Sequence, residues 1–375
     1  MLSINCFLVY KSGSEGSPKP IQICTSSGLS MELSLALLGM FSIPSRMRLP
    51  YICLWCAWSS NSFNLLSTNI ALNRIVDLNP SLKTKDPLAI GAQSWSSGRL
   101  IYLNLSSEGL SKLPQNIGAL SELQFLDLNL NRLESLPESI AKLGQLTELY
   151  FSDNQISEIP LNIGNLNKLK ELHLSNNRIE YLPSSIGQLE DLIILRANGN
   201  KLQSLPENIC KLRKLEILGL QDNILASLPD SIGKLLNLTD LQAYSNNLTQ
   251  LPRSVLSLKR LKSLTMGKNQ ILSLPQNIGN LDSLVTLNLS GNSLEHLPES
   301  IGQLQNLQGL YLLGNKIEVL PESLCELPIS AEIKVSSNRL CEKYYYDCID
   351  KFYPQNQSDC CKGNNGILKW ERCLY

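Results

Sequence analysis

The feature that most constrains this chain is a period of 23 residues, held without insertion or deletion from Leu100 to Leu340. It is plainest between Leu169 and Leu189, L-K-E-L-H-L-S-N-N-R-I-E-Y-L-P-S-S-I-G-Q-L, and the same frame returns from Leu192 to Leu212. One column is asparagine in successive units: Asn131, Asn154, Asn177, Asn200, Asn223, Asn246, Asn269, Asn292, Asn315 and Asn338. A proline column keeps the same step from Pro114 to Pro321. A fixed period of this length means one supersecondary unit stacked on copies of itself, which excludes a globular domain with a private core.

Each column has a physical task. In L-x-x-L-x-L the leucines alternate at period two, so they point inward from a short strand while the residues between them face out. The asparagine sits where the chain leaves the strand, and its amide both donates to and accepts from the backbone of adjacent turns, predicting a ladder through the stack. The following L-P suits an extended return path, because proline fixes φ and needs no donor partner. The Ile column, Ile117 to Ile301 with Val255 and Leu324 as variants, fills the space beneath with the last leucine of each unit. Cys210 and Cys325 replace the glycine after that column and read as small packing residues.

The repeated L-P-x-x-I-G-x-L unit resembles the leucine-rich repeat class shared by Ras-binding scaffold proteins, plant intracellular Ras-group repeat proteins and many bacterial repeat proteins. The resemblance covers about two thirds of the chain. It implies an α/β solenoid, a right-handed horseshoe with a parallel concave sheet, and protein binding as the usual function. About eleven short parallel strands are expected, centred from Leu103–Leu105 to Ile333–Val335, with short helical turns near each P-x-x-I segment.

The flanks read differently, dividing the chain into residues 1–63, 64–99, 100–340 and 341–375. The first segment is either disordered or a targeting sequence. Its Ser12–Pro20 stretch has linker composition, and the apolar run Leu33–Ile43 has Glu32 before it and arginines after it, the wrong charge order for a secretory signal. A second candidate signal begins at Met47 but contains Pro50, and Cys53-x-x-Cys56 is a lone pair. Residues 64–99 read as an N-terminal cap: Asn69–Leu78 has apolar residues at helical spacing, Pro80 and Pro87 break it, and Trp95 is placed to cover the first core edge. After Asn338, Cys341, Cys348, Cys360, Cys361 and Cys373 stand among aromatic residues and read as a disulfide-bonded C-terminal cap, with reduced packing cysteines as the alternative and a metal site the weakest reading, because the segment has no histidine and no C-x-x-C pair. Disulfides imply an oxidising compartment, whereas the family resemblance implies the cytoplasm.

Composition narrows function by exclusion. Apolar residues make up 43% of the 375, and 33 basic residues balance 33 acidic ones. Zero formal charge speaks against a nucleic-acid binder, whose phosphate contacts need a basic excess. No run of ~18 or more apolar residues occurs, so no spanning helix is expected. His173 and His296 lie in different parts of the unit, with no partner at catalytic spacing, and no phosphate loop, H-E-x-x-H or G-x-S-x-G motif is present. The chain therefore reads as a non-enzyme with no cofactor, metal or small-molecule substrate.

That leaves the outward strand positions, where the fold requires no particular residue. Units seven to nine are small and polar there. Earlier units set Phe125, Leu130, Tyr150, Ile194 and Ile217 among Asp127, Glu148, Asp153, Glu171, His173 and Arg196. Apolar and aromatic groups beside charges resemble an interaction hot spot with a polar rim. The expected function is a protein-binding scaffold, with signalling as its setting, whose partner carries basic residues; the alternative is a secreted or cell-surface recognition protein binding extracellular protein or carbohydrate. Asn198, also outward, is expected to be dispensable for stability.

Overall fold

The structure, a computed structural model, describes residues 60–340, with side chains from 67 onward. The expectations for residues 1–59 and for Cys341, Cys348, Cys360, Cys361 and Cys373 lie outside the described residues.

The chain enters through helix α1, Ser60–Leu78, which starts earlier than the Asn69 suggested by the apolar spacing. Ala71, Leu72, Ile75 and Val76 form its buried stripe. Pro80 stops the helix, and Asn79 seals its end, donating from Nδ2 to the Ile75 carbonyl at 2.7 Å. Next comes a hairpin of β1, Ala92–Ser96, and β2, Arg99–Asn104. Ser97 and Gly98 turn it, both at positive φ, the geometry of a type I′ turn whose twist matches the flanking strands. Gly91, at the entry to β1, has φ +58°, and a Cβ there would collide with the Asn104 carbonyl oxygen.

From β2 onward every unit gives one strand: β3 Phe125–Asp127, β4 Glu148–Tyr150, β5 Glu171–His173, β6 Ile194–Arg196, β7 Ile217–Gly219, β8 Asp240–Gln242, β9 Ser263–Thr265, β10 Thr286–Asn288, β11 Gly309–Tyr311 and β12 Glu332–Lys334. They pair in sequence order in one sheet of 12 strands. The eleven strands β2–β12 are parallel, as the period predicts; β1 is antiparallel to β2 and was not anticipated. The register repeats with the sequence, Phe125 beside Glu148, Glu171 beside Ile194, and Tyr150 beside His173. The return side is irregular, with one 3₁₀ turn per unit such as Glu138–Lys142, its first residue just after the unit's proline.

The core is a single apolar column. Leu126, Leu149, Leu172, Leu195, Leu218, Leu241 and the Ile column are fully buried, each contributing about 1.5–3 kcal/mol relative to exposure. On the return side the turns approach closely: a Cβ added at Gly187 would lie 2.1 Å from the Asn208 carbonyl oxygen one unit on. Cys210 tolerates this column, buried and reduced, its thiol pKa pushed up to about 11 by burial. Cys325 does not follow it. It is exposed and disulfide-bonded, with its partner outside the described residues, which corrects its reading as a packing residue.

The asparagine column forms the expected ladder. Asn200 Oδ1 accepts from Ile179 N at 3.1 Å, and Nδ2 donates to the Leu174 carbonyl at 3.0 Å and to the Ala197 carbonyl at 3.2 Å. The same pattern runs from Asn131 to Asn338. Glu108 interrupts the column in the first unit and pairs with Lys85 instead. There Asn79 of the cap, fully buried, ties the helix to the repeat by accepting from Ser111 N and donating to the Lys112 carbonyl.

Candidate functional site

The strands present two outward residues each, and the parallel register aligns them into two columns across the sheet. Four neighbouring strands, β2–β5, carry a continuous run of rings. Tyr102 stacks on Phe125 with centroids 4.3 Å apart, Phe125 meets Tyr150 edge-on at 5.3 Å, and Tyr150 stacks on His173 at 4.4 Å. Register explains the order: Tyr102 and Phe125 share one column, Tyr150 and His173 the other, and the edge contact is the diagonal between them. All four rings are half-buried. Tyr102, in the same column as Phe125, belongs to the cluster although its unit is the first and sequence reasoning placed the site from the second unit onward.

Charge is built into this run. The Tyr150 hydroxyl lies 2.6 Å from Glu148 Oε2 and 2.8 Å from Glu171 Oε2. Burial, then these carboxylates, raise the phenol pKa, so the hydroxyl stays protonated. His173 Nε2 is 3.5 Å from Glu171 Oε2 but makes no hydrogen bond. Burial lowers its pKa below the usual imidazole value, and Arg196 beside it acts in the same direction against the opposing pull of Glu171. Ile194 and Ile217, half-buried, continue the face as an apolar step.

The other predicted residues fall elsewhere. Asp127 is not a rim charge: only 9% exposed, it turns back so that Oδ1 accepts from Asn129 N at 2.8 Å, and burial raises its pKa. Asn104 and Asn288 in the same column bond their own backbone in this way, accepting from Ser106 N and Ser290 N. A short amide or acid here closes an Asx turn. Leu130 and Asp153 lie just past the strands, at φ +56° and +57°, in a column that is left-handed in every unit from Ser107 to Ser337. Asp153 accepts from Asn176 Nδ2 at 2.9 Å. Leu130 is 59% exposed, a large apolar side chain on a left-handed backbone that leucine rarely adopts. Asn198, expected to be dispensable, accepts from Gln221 N at 3.0 Å in the next unit, as Asn129 does from Ser152 N, so part of the outer face has a second inter-unit tie. Among the described residues no group of His, Cys, Asp and Glu is placed to hold a metal, and no helix is long and apolar enough to cross a membrane.

A sheet built one strand per repeat, with its outer face left to variable side chains, defines a class of repeat proteins, and sequence profiles agree. A profile described as leucine-rich repeat region matches residues 70–155, 149–218 and 199–294, and a second, leucine rich repeat, matches 282–340. The chain belongs to the leucine-rich repeat family. No curated protein matches it. Among solved structures it is similar to the plant peptide hormone receptor RGFR1 in complex with RGF2, at 33% identity over 64% of this chain and 44% of that one, TM-score 0.57. It is also similar to the Arabidopsis receptor kinase HAESA in complex with the peptide hormone IDA and the co-receptor SERK1, at 25% identity over 75% of this chain and 54% of that one, TM-score 0.59. An internalin from Listeria monocytogenes, at 22% identity over 73% and 86% of the two chains with TM-score 0.56, supports the fold alone. The chain spans about half the length of the two receptor chains.

Proposed function

We propose that this chain is a non-catalytic scaffold that captures a partner protein or peptide on the outer sheet face of β2–β7, through a partner surface rich in basic groups. The observation that carries this is the ring run from Tyr102 to His173 with Glu148 and Glu171 set into it. A solvated sheet face needs none of these groups; a binding face uses aromatic anchors beside charges to gain contact area and orientation together. The RGFR1 and HAESA structures, both complexes with peptide hormones, support a peptide or protein as the class of ligand. The disulfide at Cys325 favours an oxidising compartment, and with it the extracellular form of this reading.

The test is capture by the immobilised full chain from an extract of its own source. A ligand retained by the wild type should be lost on combining Tyr150→Ala with Arg196→Ala, at an unchanged melting temperature. Equal loss from Thr265→Ala with Asn288→Ala, on β9 and β10, would place the site elsewhere on the sheet.

A further inference from the structure

The outer face holds charges that its own strands leave uncompensated. Glu148 and Glu171 both abut the Tyr150 hydroxyl, yet a phenol has one proton to donate, so only one of the two contacts is a hydrogen bond at any moment. The other carboxylate faces an oxygen. His173, the remaining polar neighbour, is disfavoured as a cation by its burial. Among the described residues no lysine or arginine lies within ion-pair distance of either carboxylate, and one strand further Arg196 has no ion-pair partner.

Elsewhere the repeat pairs some of its exposed charges from one unit to the next: Lys214 with Asp191 at 2.6 Å, Arg99 with Glu122 at 3.2 Å, Lys259 with Asp282 at 3.4 Å. Here it does not. The register sets Glu171 beside Ile194 and Arg196 beside His173, so the opposite charges sit on a diagonal and do not meet. An acid pair and a guanidinium, each open to solvent and separated by an apolar step, form a template of fixed charge order.

We infer that the partner presents a dipolar pair to this template, a basic side chain over Glu148, Tyr150 and Glu171 and a carboxylate over Arg196. This rests on the sheet-face reading above and specifies its ligand. Strands are spaced ~4.8 Å apart and the two outward columns ~6.8 Å, so along the diagonal Arg196 lies about 8 Å from Glu171 and about 12 Å from Glu148. In an extended segment, side chains on one side recur every ~6.8 Å. Residues i and i+2 of a strand-like peptide laid along this diagonal over β4–β6 reach both ends, the long basic side chain covering the remaining few ångströms to the acid pair, which gives the order basic, any residue, acidic. Arginine suits the acid end better than lysine, because its planar fork can meet two carboxylates at once. The middle residue turns its side chain away from the sheet, which is why it is free to vary.

The probe is the peptide acetyl-Gly-Arg-Ala-Glu-Gly-amide, its ends blocked so that only the two side chains carry charge, titrated into the full chain by calorimetry at low salt. Two analogues neutralise one end each, citrulline for arginine and glutamine for glutamate. The parent peptide should bind at least tenfold more tightly than either analogue. Glu148→Gln with Glu171→Gln should erase the preference for arginine over citrulline and keep that for glutamate; Arg196→Gln should do the reverse. The Glu→Gln pair should also hold or raise the melting temperature, because it relieves repulsion, whereas a purely structural pair would lower it. Equal binding of all three peptides, or no binding of any, overturns the charge template. Should partner capture then still be lost in Tyr150→Ala with Arg196→Ala, the sheet-face reading stands and the template alone falls; if capture survives that variant too, both fall.

Discussion

Strands β3–β6 and β8–β10 share one backbone and differ in what they show to solvent. On the inner side they are interchangeable: Leu126, Leu149, Leu172 and Leu195 are as fully buried as Leu241, Leu264 and Leu287, and both stretches carry the same asparagine ladder. On the outer side the first stretch shows Phe125, Glu148, Tyr150, Glu171, His173 and Arg196, the second Asp240, Gln242, Ser263, Thr265, Thr286 and Asn288. The second stretch shows what the fold asks of this face, which is only small polar residues that water can cover. The first therefore carries chemistry that folding does not account for. In a solenoid, inner positions report stability and outer positions report recognition.

The largest effect expected from this contrast is on capture. Tyr150→Ala with Glu171→Gln should abolish retention of the partner in a pull-down, while Thr265→Ala with Thr286→Ala should leave it intact. Stability should behave in the opposite way, blind to the distinction. Leu172→Ala and Leu264→Ala should each cost about 2–5 kcal/mol in denaturant titrations, because either leaves a cavity in close-packed surroundings. A difference well beyond 1 kcal/mol between them would mean that the two stretches are not equivalent inside.

Smaller effects separate the ladder from the outer tie. Asn200→Ala leaves the buried Ile179 N without a partner and takes from the Leu174 carbonyl one of its two amide donors, the other being Asn177 Nδ2, about 1–3 kcal/mol for the orphaned N–H. Asn198→Ala removes a single acceptor from the half-exposed Gln221 N and should cost about 1 kcal/mol. Thermal melts that ranked Asn198 above Asn200 would break the ladder account. Leu130→Asn should stabilise by up to about 1 kcal/mol, because asparagine tolerates the left-handed conformation that leucine resists; if it also weakens capture, the strained leucine is a contact to the partner. The smallest effect is on pH dependence. His173 has a lowered pKa in the fold, so the unfolded chain binds its proton first as pH falls. Its contribution is therefore complete above about 6.5, the unfolded value, and declines as pH drops below it toward the folded pKa. His173→Gln should flatten that part of the profile in melts taken from pH 7 to 5.

Much of this molecule was legible from its columns, because a repeat states the same structural fact many times. The strand positions, register, inner leucines and ladder follow from the 23-residue step. What escaped was singular. Strand β1 occurs once, and its one cue, the Ser97–Gly98 turn, carries no period. Asn79 does ladder-like work outside the ladder's column. Asp127 occupies the same column as Tyr150, yet its short side chain reaches its own backbone while the tyrosine reaches across strands. Column membership sets where a Cβ points, and side-chain length decides what it then meets.

The ladder has a direction, and that makes the two ends of the array unlike. Each asparagine reaches back, closing an N–H laid down 21 residues earlier and a carbonyl 26 residues earlier, as Asn200 does for Ile179 and Leu174. A unit is thus finished by the one that follows it. Shortening the array from its C-terminal side strips a fixed backbone N–H of its only side-chain partner, while shortening it from the N-terminal side frees a rotatable amide that can turn to water. On the ribosome the same asymmetry imposes a lag: every turn emerges incomplete and waits about one repeat length for its closing asparagine, so order advances along the nascent chain one unit behind synthesis.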